Sequence, residues 1–286
     1  MSAPFSSQER TARAEIIHRR ADGVVFIHRS RSAPSPPAVS VPHRDLMTRA
    51  RIIGVSGASG GVGASCLVAA LGVRARQRGA VCALVDLRRH GGGLDVVLGV
   101  DHEPGLRWPD LARARGRLDI PDILPRLPRG AGVPAVSFER TSAAAPDAHA
   151  IRAVIDGLAG YCDLIVVDLP ELSAPEFGVA AALLHEGLIV CGFGPTQLAA
   201  AGVHARALEA SGVAWSIVQR VARGSPEDLP ALVCDALGLR VVAVLSDDDR
   251  VTADLRRGRV PGGRGALAEA ADQVLESIRV PLGRAA

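Results

Sequence analysis

The sequence contains no lysine; all 33 of its Lys-or-Arg positions are arginine. A GC-rich coding bias accounts for the choice, but the consequence is chemical. A mechanism that needs a catalytic or phosphate-binding lysine cannot be supplied by this chain. Aromatic residues are also scarce, at 3% against 48% hydrophobic residues in all. A core of sufficient size must therefore be built from Ala, Val, Leu and Ile, as in parallel-sheet α/β proteins. Cysteine is limited to an odd count of five, Cys66, Cys82, Cys162, Cys191 and Cys234, all inside apolar strand or helix patterns. With no CxxC and no His-rich spacing, neither a disulfide framework nor zinc is expected, and buried reduced thiols of a cytoplasmic protein are. No apolar run approaches the ~20 residues of a membrane span, so stable membrane insertion is not expected. The Arg- and Pro-interrupted N-terminus lacks the apolar segment of a secretory signal.

Net charge of either sign is missing from most of the chain. Of the net +3, residues 1–50 contribute +4, with eight Arg against four acids, and the rest contributes −1. A near-neutral body argues against a nucleic-acid surface, which needs clustered basic charge. Residues 1–48 read as a disordered Arg/Ser/Pro-rich tail, because the Pro content of Ser30–Pro42 suits neither helix nor central strand. Val24–Ile27 is a short apolar piece able to form an isolated strand. Met47 stands just before the first clear strand.

From residue 49 to 286 the pattern predicts one α/β domain, a doubly wound and mainly parallel sheet. Strands are expected at Arg51–Ser56, Val81–Asp86, Val133–Phe138, Asp163–Asp168, Gly187–Cys191, Ala214–Val218 and Val241–Leu245. Helices are expected at Ala64–Gly79, Leu94–Leu98, Ala148–Gly160, about 197–211 and about 227–237, with proline-punctuated short helices over 105–130. Ala266–Val280 is a last helix whose face of Leu267, Ala271, Val274, Leu275 and Ile278 is apolar. Its polar face carries Glu269, Asp272 and Glu276 against Arg279, the wrong sign for anionic lipid, so packing on the domain's own core is expected.

The chemically informative stretch is residues 51–71, RIIGVSGASGGVGASCLVAAL. A strand runs into a small-residue loop, and a helix begins where the loop ends. Backbone N–H groups of such a loop and of the helix N-terminus converge on phosphate oxygens. Gly60, Gly61 and Gly63 allow close backbone approach, and Ser65 stands where a P-loop hydroxyl reaches Mg²⁺. The plainer alternative is a glycine turn with no ligand.

Ala58-Ser59-Gly60-Gly61-Val62-Gly63-Ala64-Ser65 resembles the deviant Walker A motif of the MinD/ParA P-loop ATPases, GKGGxGK[ST]. Asp86 matches an Asp that closes the second strand in that class, Asp168-Leu169-Pro170 a Walker B step, and His90–Gly99 a switch I segment in which Asp95 is the acid. The set GGGLD, GLRWPDL, DLIVVDLP and LRRGRVPGGRG further resembles an actinobacterial branch of CpaE-like, septum-site-determining (Ssd) proteins. Members of that branch usually carry an N-terminal receiver-like domain, and the short tail leads to the expectation that it is missing or truncated here.

The resemblance implies ATP or ADP with Mg²⁺ as cofactors. It implies nucleotide contacts from Ser59, Gly60, Gly61, Val62, Gly63, Ala64, Ser65 and Cys66, metal contacts from Ser65, Asp86 and Asp168, and catalytic roles for Asp95 and Asp168. It implies a homodimer, protein partners in septum or Tad-type pilus and secretion machinery, and recruitment of a cytoplasmic protein to pole or septum. The departures are Ser59 and Ala64, which stand at the motif's two lysine positions. Losing two phosphate-directed cations costs on the order of 10²–10³ in rate or more, so weak nucleotide binding with little hydrolysis is expected. Arg88 and Arg89 are the nearest substitutes in sequence, though solvated loop arginines are the plainer reading. Asp86 and Asp168 have a bland alternative as strand-end acids that cap the next loop, and Asp95 one as a helix-start acid. The functional expectation is a regulatory or positioning protein. A slow MinD-like ATPase completed by arginine or a partner, and a scaffold that binds no nucleotide, are the alternatives.

Overall fold

The computed structural model describes residues 16–19, 25–28, 50–140, 142 and 144–278. Two short strands, β1 (Ile16–Arg19) and β2 (Val25–His28), pair antiparallel as a separate two-stranded sheet. Otherwise the expectation for residues 1–48 falls on residues outside those described.

The body is an alternation of strands and helices. Its strands are β3 (Arg51–Gly57), β4 (Cys82–Asp86), β5 (Arg129–Gly130), β6 (Val133–Val136), β7 (Leu164–Asp168), β8 (Glu186–Cys191), β9 (Ala214–Val221) and β10 (Val241–Ser246). The helices are α1 (Ala64–Gln77), α2 (Leu94–Val97), α3 (Trp108–Leu111), α4 (Ile120–Ile123), α5 (Ala148–Ala159), α6 (Pro175–Ala181), α7 (Pro195–Leu208), α8 (Leu229–Leu237), α9 (Asp249–Arg256) and α10 (Ala266–Ser277). The sheet order is β10-β9-β8-β3-β7-β4-β6-β5, and every pairing is parallel except β5 with β6.

Helices covering both faces bury the central strands completely, which is why CALVD and LIVVD are apolar without alternation until their closing acids. The small residues of α1 bring it close to the sheet. A Cβ on Gly72 would stand 2.9 Å from Leu84 and 3.0 Å from Val133. On the same face α10 packs against α1 and β10, burying Leu267, Ala271, Val274, Leu275 and Ile278. Arg74 holds Asp272 in a two-pronged pair, Nε–Oδ1 at 2.9 Å and Nη2–Oδ2 at 2.6 Å. The last helix is thus a core element, as its charge pattern predicts.

The chain passes from β3 outward to β4 and β6, returns to β7 beside β3, and then crosses to β8 on the other side. β3 is therefore the point at which the winding reverses, and the loop at its carboxyl end faces the crevice where open α/β sheets take ligands. Sequence patterning misses β5, α6 and α9. It is also too generous about cysteine burial: Cys82, Cys162 and Cys191 are buried, whereas Cys66 and Cys234 are partly exposed.

Candidate phosphate-binding site

The loop 58–63 is fastened at both ends. The Ala58 N–H donates to the Val190 carbonyl of β8 at 3.0 Å, and Val62, 1% exposed, is plugged into the core beneath the loop. Gly61 (φ 75°) and Gly63 (φ 96°) lie in the left-handed region that glycine adopts without strain. A Cβ built on Gly60 or Gly61 would meet nothing within 4 Å, so the loop's outer surface is open. Gly63 is also the N-cap of α1, where no side chain caps the helix. The first N–H groups of a 14-residue helix are thus left without a side-chain acceptor, an arrangement suited to an anion. Ala64 is buried, and Ser65 and Cys66 are half-buried in the first turn. Ser59 places a buried hydroxyl in the loop with no hydrogen-bond partner.

Two carboxylates end neighbouring strands beside this loop. Asp86 of β4 and Asp168 of β7 are direct partners in the sheet register, and both are buried. Their environments differ. Asp86 accepts from the Arg88 N–H at 2.8 Å through Oδ1 and from the Leu94 N–H at 2.9 Å through Oδ2, so it ties down the loop from β4 to α2. Its backbone carbonyl accepts from the Trp108 indole at 2.6 Å. Among the described residues neither oxygen of Asp168 has a hydrogen-bond partner. Burial, and secondarily the charge of Asp86, push the Asp168 carboxyl up to about 8; the Ser65 hydroxyl lowers it in turn without reaching either oxygen in hydrogen-bonding geometry. Burial likewise raises Asp86, to about 6, against the pull of its two backbone N–H donors.

A bare buried carboxylate beside a hydroxyl and a second acid is a set of hard oxygens, which fits Mg²⁺ and does not fit a softer metal. Among the described residues no cluster of three or more His, Cys, Asp or Glu could form an all-protein cage. Mg²⁺ commonly keeps waters and takes other oxygens from phosphate. Asp168 and Ser65 would hold it, with Asp86 contributing through lone pairs that its backbone donors leave free. Bound there, Mg²⁺ would neutralise phosphate charge.

The other predicted site residues divide. Asp95 is 2% exposed, and both of its oxygens are taken by Arg140, Nη1–Oδ2 at 2.9 Å and Nη2–Oδ1 at 3.0 Å; Oδ1 also accepts from the Val96 N–H. Its geometry is that of a helix-start acid held by an arginine. Arg88 is half-buried and its charge lowers the pKa of both Asp86 and Asp168, whereas Arg89 is exposed. Sequence reasoning passed over three residues. Arg220, at the end of β9, donates from Nη1 to the Gly61 carbonyl at 3.0 Å. His204 of α7 forms a buried 2.9 Å hydrogen bond to Ser56, just before the loop. Gln219 is fully buried, donates to the Gly192 carbonyl and leaves its Oε1 unpartnered. All three come from elements more than 130 residues from the loop, and no local pattern marks them.

Comparison with solved structures identifies the fold. MinD from Aquifex aeolicus superposes with a TM-score of 0.65 at 19% identity, over 82% of this chain and 100% of that one. A ParA family ATPase from Chlorobium tepidum gives 0.67 at 17% identity over 79% and 98%. MinD from Pyrococcus horikoshii in complex with Mg-ADP gives 0.62 at 20% over 80% and 96%. The fold is that of MinD and ParA. At these identities the MinD/ParA likeness shows the P-loop NTPase architecture alone. No family model matches the chain. Uncharacterized proteins from two strains of Mycobacterium tuberculosis are 33% identical over 226 residues, which is 78% of this chain and 63% of theirs. The chain thus spans under two thirds of the length of the curated relatives it matches.

Proposed function

We propose that this chain is a nucleotide-binding regulatory or positioning protein of the MinD/ParA type. In this reading it takes ATP or ADP with Mg²⁺ at residues 59–66 and changes protein partners with the nucleotide state, with little turnover. The observation that carries this reading is the unpartnered Asp168 carboxylate, buried beside Ser65 and Asp86 under an uncapped helix N-terminus. Burying such a group without a partner destabilises the fold, and a cation held against phosphate would relieve the cost. A glycine turn with no ligand would leave it unrelieved.

A positioning role is supported by the kinds of protein that share the fold, among them a MinC:MinD cell division complex from Aquifex aeolicus. Septum-site determination or control of a Tad-type pilus or secretion assembly is the finer proposal, and it rests on the CpaE-like and Ssd motifs. A homodimer and recruitment of a cytoplasmic protein to pole or septum belong to the same proposal. Among the described residues no helix is long and apolar enough to cross a membrane, and the electrically neutral body disfavours a DNA-riding role.

Calorimetric titration of the full chain with ATP and ADP, with and without Mg²⁺, tests the reading. Binding that strengthens with Mg²⁺ and is lost in Asp168→Ala supports it. No heat and no thermal shift with either nucleotide at millimolar concentration would favour the scaffold.

A further inference from the structure

We propose that Arg220 supplies the cationic phosphate contact that the loop itself lacks, reaching the β- or γ-phosphate of a bound nucleoside triphosphate from the neighbouring strand β9. The inference rests on the nucleotide-binding reading above and names the residue that makes it workable without lysine.

Arg220 lies at the carboxyl end of β9, on the same sheet edge as the loop, with β8 between β9 and β3. Nη1 donates to the Gly61 carbonyl at 3.0 Å, and Nε donates to Asp247 Oδ1 at 2.7 Å. Among the described residues Nη2 has no hydrogen-bond partner, which leaves part of the guanidinium fork for a ligand. Gly61 is the residue about which the loop surface is open, and the side chain of Arg220 is 32% exposed, neither sealed in the core nor loose in solvent. One guanidinium is thus anchored to the loop that leads into the uncapped start of α1, with donors to spare.

The competing role is a staple between the loop and the end of β10 through Asp247. That pair is partly exposed on both sides, and exposed pairs hold weakly. A polyphosphate offers more charge than one carboxylate and accepts a planar guanidinium in bidentate fashion. Arg88 is the weaker candidate, because among the described residues its side chain makes no hydrogen bond to the loop, whereas that of Arg220 does.

Calorimetric titration of the full chain with Mg²⁺–ATP and with AMP separates the possibilities, using wild type, Arg220→Gln, Arg220→Lys, Asp247→Asn and the double variant Arg220→Gln with Ala64→Lys. We expect Arg220→Gln to weaken ATP about ten- to a hundredfold, the size of a charge-assisted contact, and to leave AMP unchanged. Arg220→Lys should fall between, Asp247→Asn should bind ATP as well as wild type or better, and Ala64→Lys should restore ATP affinity to the Arg220→Gln protein. Equal ATP affinity in wild type and Arg220→Gln would overturn the inference while leaving the nucleotide reading intact. So would parallel losses of ATP and AMP that Asp247→Asn reproduces, since those are the marks of a staple. A wild type that binds no nucleotide at all would remove both.

Discussion

At the scale of single residues, the site is a contrast between two acids in the same register. Asp86 is satisfied by backbone donors and Asp168 is not, so Asp168 should govern how stability depends on pH. A carboxyl whose pKa is raised on folding binds its proton more tightly in the folded state. The stability it contributes is fully present below the ordinary Asp value of ~3.9 and is lost as pH rises toward about 8. In chelator, the urea midpoint should therefore fall across that window, by the equivalent of a few kcal/mol at most. Asp168→Asn should flatten the fall, and Mg²⁺–ADP should oppose it in wild type alone. A flat profile in wild type would show that the carboxylate finds a partner in solution. A second residue-scale prediction concerns Gly63, whose φ of 96° is costly for an L side chain. Gly63→Ala should lower stability by about 1–2 kcal/mol in urea denaturation as well as weakening nucleotide. The loop was legible in the sequence because its signals are local: glycines between an apolar strand and an apolar helix. Arg220 and the Arg140 clamp on Asp95 were not legible, because each joins the site across a distance in sequence that only the fold closes.

At the scale of elements, the same division between local and non-local signals decides what could be read. β3, β4, β7 and β8 declare themselves as short apolar runs that acids or glycines close. α1 and α5 declare themselves by long apolar faces, and α5 also by its N-cap, with the Asp147 side chain accepting from His149 and Ala150. α9 buries no residue and so has no apolar period to find, and α6 is a seven-residue helix interrupted by Gly178. β5 is two residues long and exists only through its pairing with β6. The last helix is the instructive case, since an amphipathic C-terminal helix can serve a core or a lipid surface. Its buried face and the Arg74–Asp272 pair commit α10 to the core. Leu275→Ala should therefore cost about 2–5 kcal/mol in urea unfolding. Asp272→Asn should cost only about 1 kcal/mol even though both Arg74 and Arg78 reach that carboxylate, because both pairs are partly exposed. Retention of the wild-type protein on anionic vesicles, abolished by Leu275→Asp without loss of fold, would contradict the packing.

At the scale of the whole molecule, the doubly wound fold shared with MinD and ParA is intact, while the glycine loop after β3 carries no cation of its own. Ser59 and Ala64 occupy the two positions at which the motif it resembles has lysine. Ala64 begins α1 with its side chain buried, so a lysine there would extend its ammonium toward the loop and the helix start. Ala64→Lys should accordingly raise ATP affinity about tenfold or more, a charge-assisted contact contributing ~1.5–3 kcal/mol. Turnover need not follow, because Ser59 still leaves the motif's other lysine position without a cation. Ser59→Lys together with Ala64→Lys should then give ATP-dependent dimers in sedimentation velocity and measurable phosphate release, where each single change gives neither. If wild type already hydrolyses ATP at a rate comparable to the double variant, the regulatory reading fails and the chain is an ATPase that arginine completes. If Ala64→Lys gains no affinity for ATP, the loop has ceased to be a phosphate site, and the bare Asp168 would need another explanation.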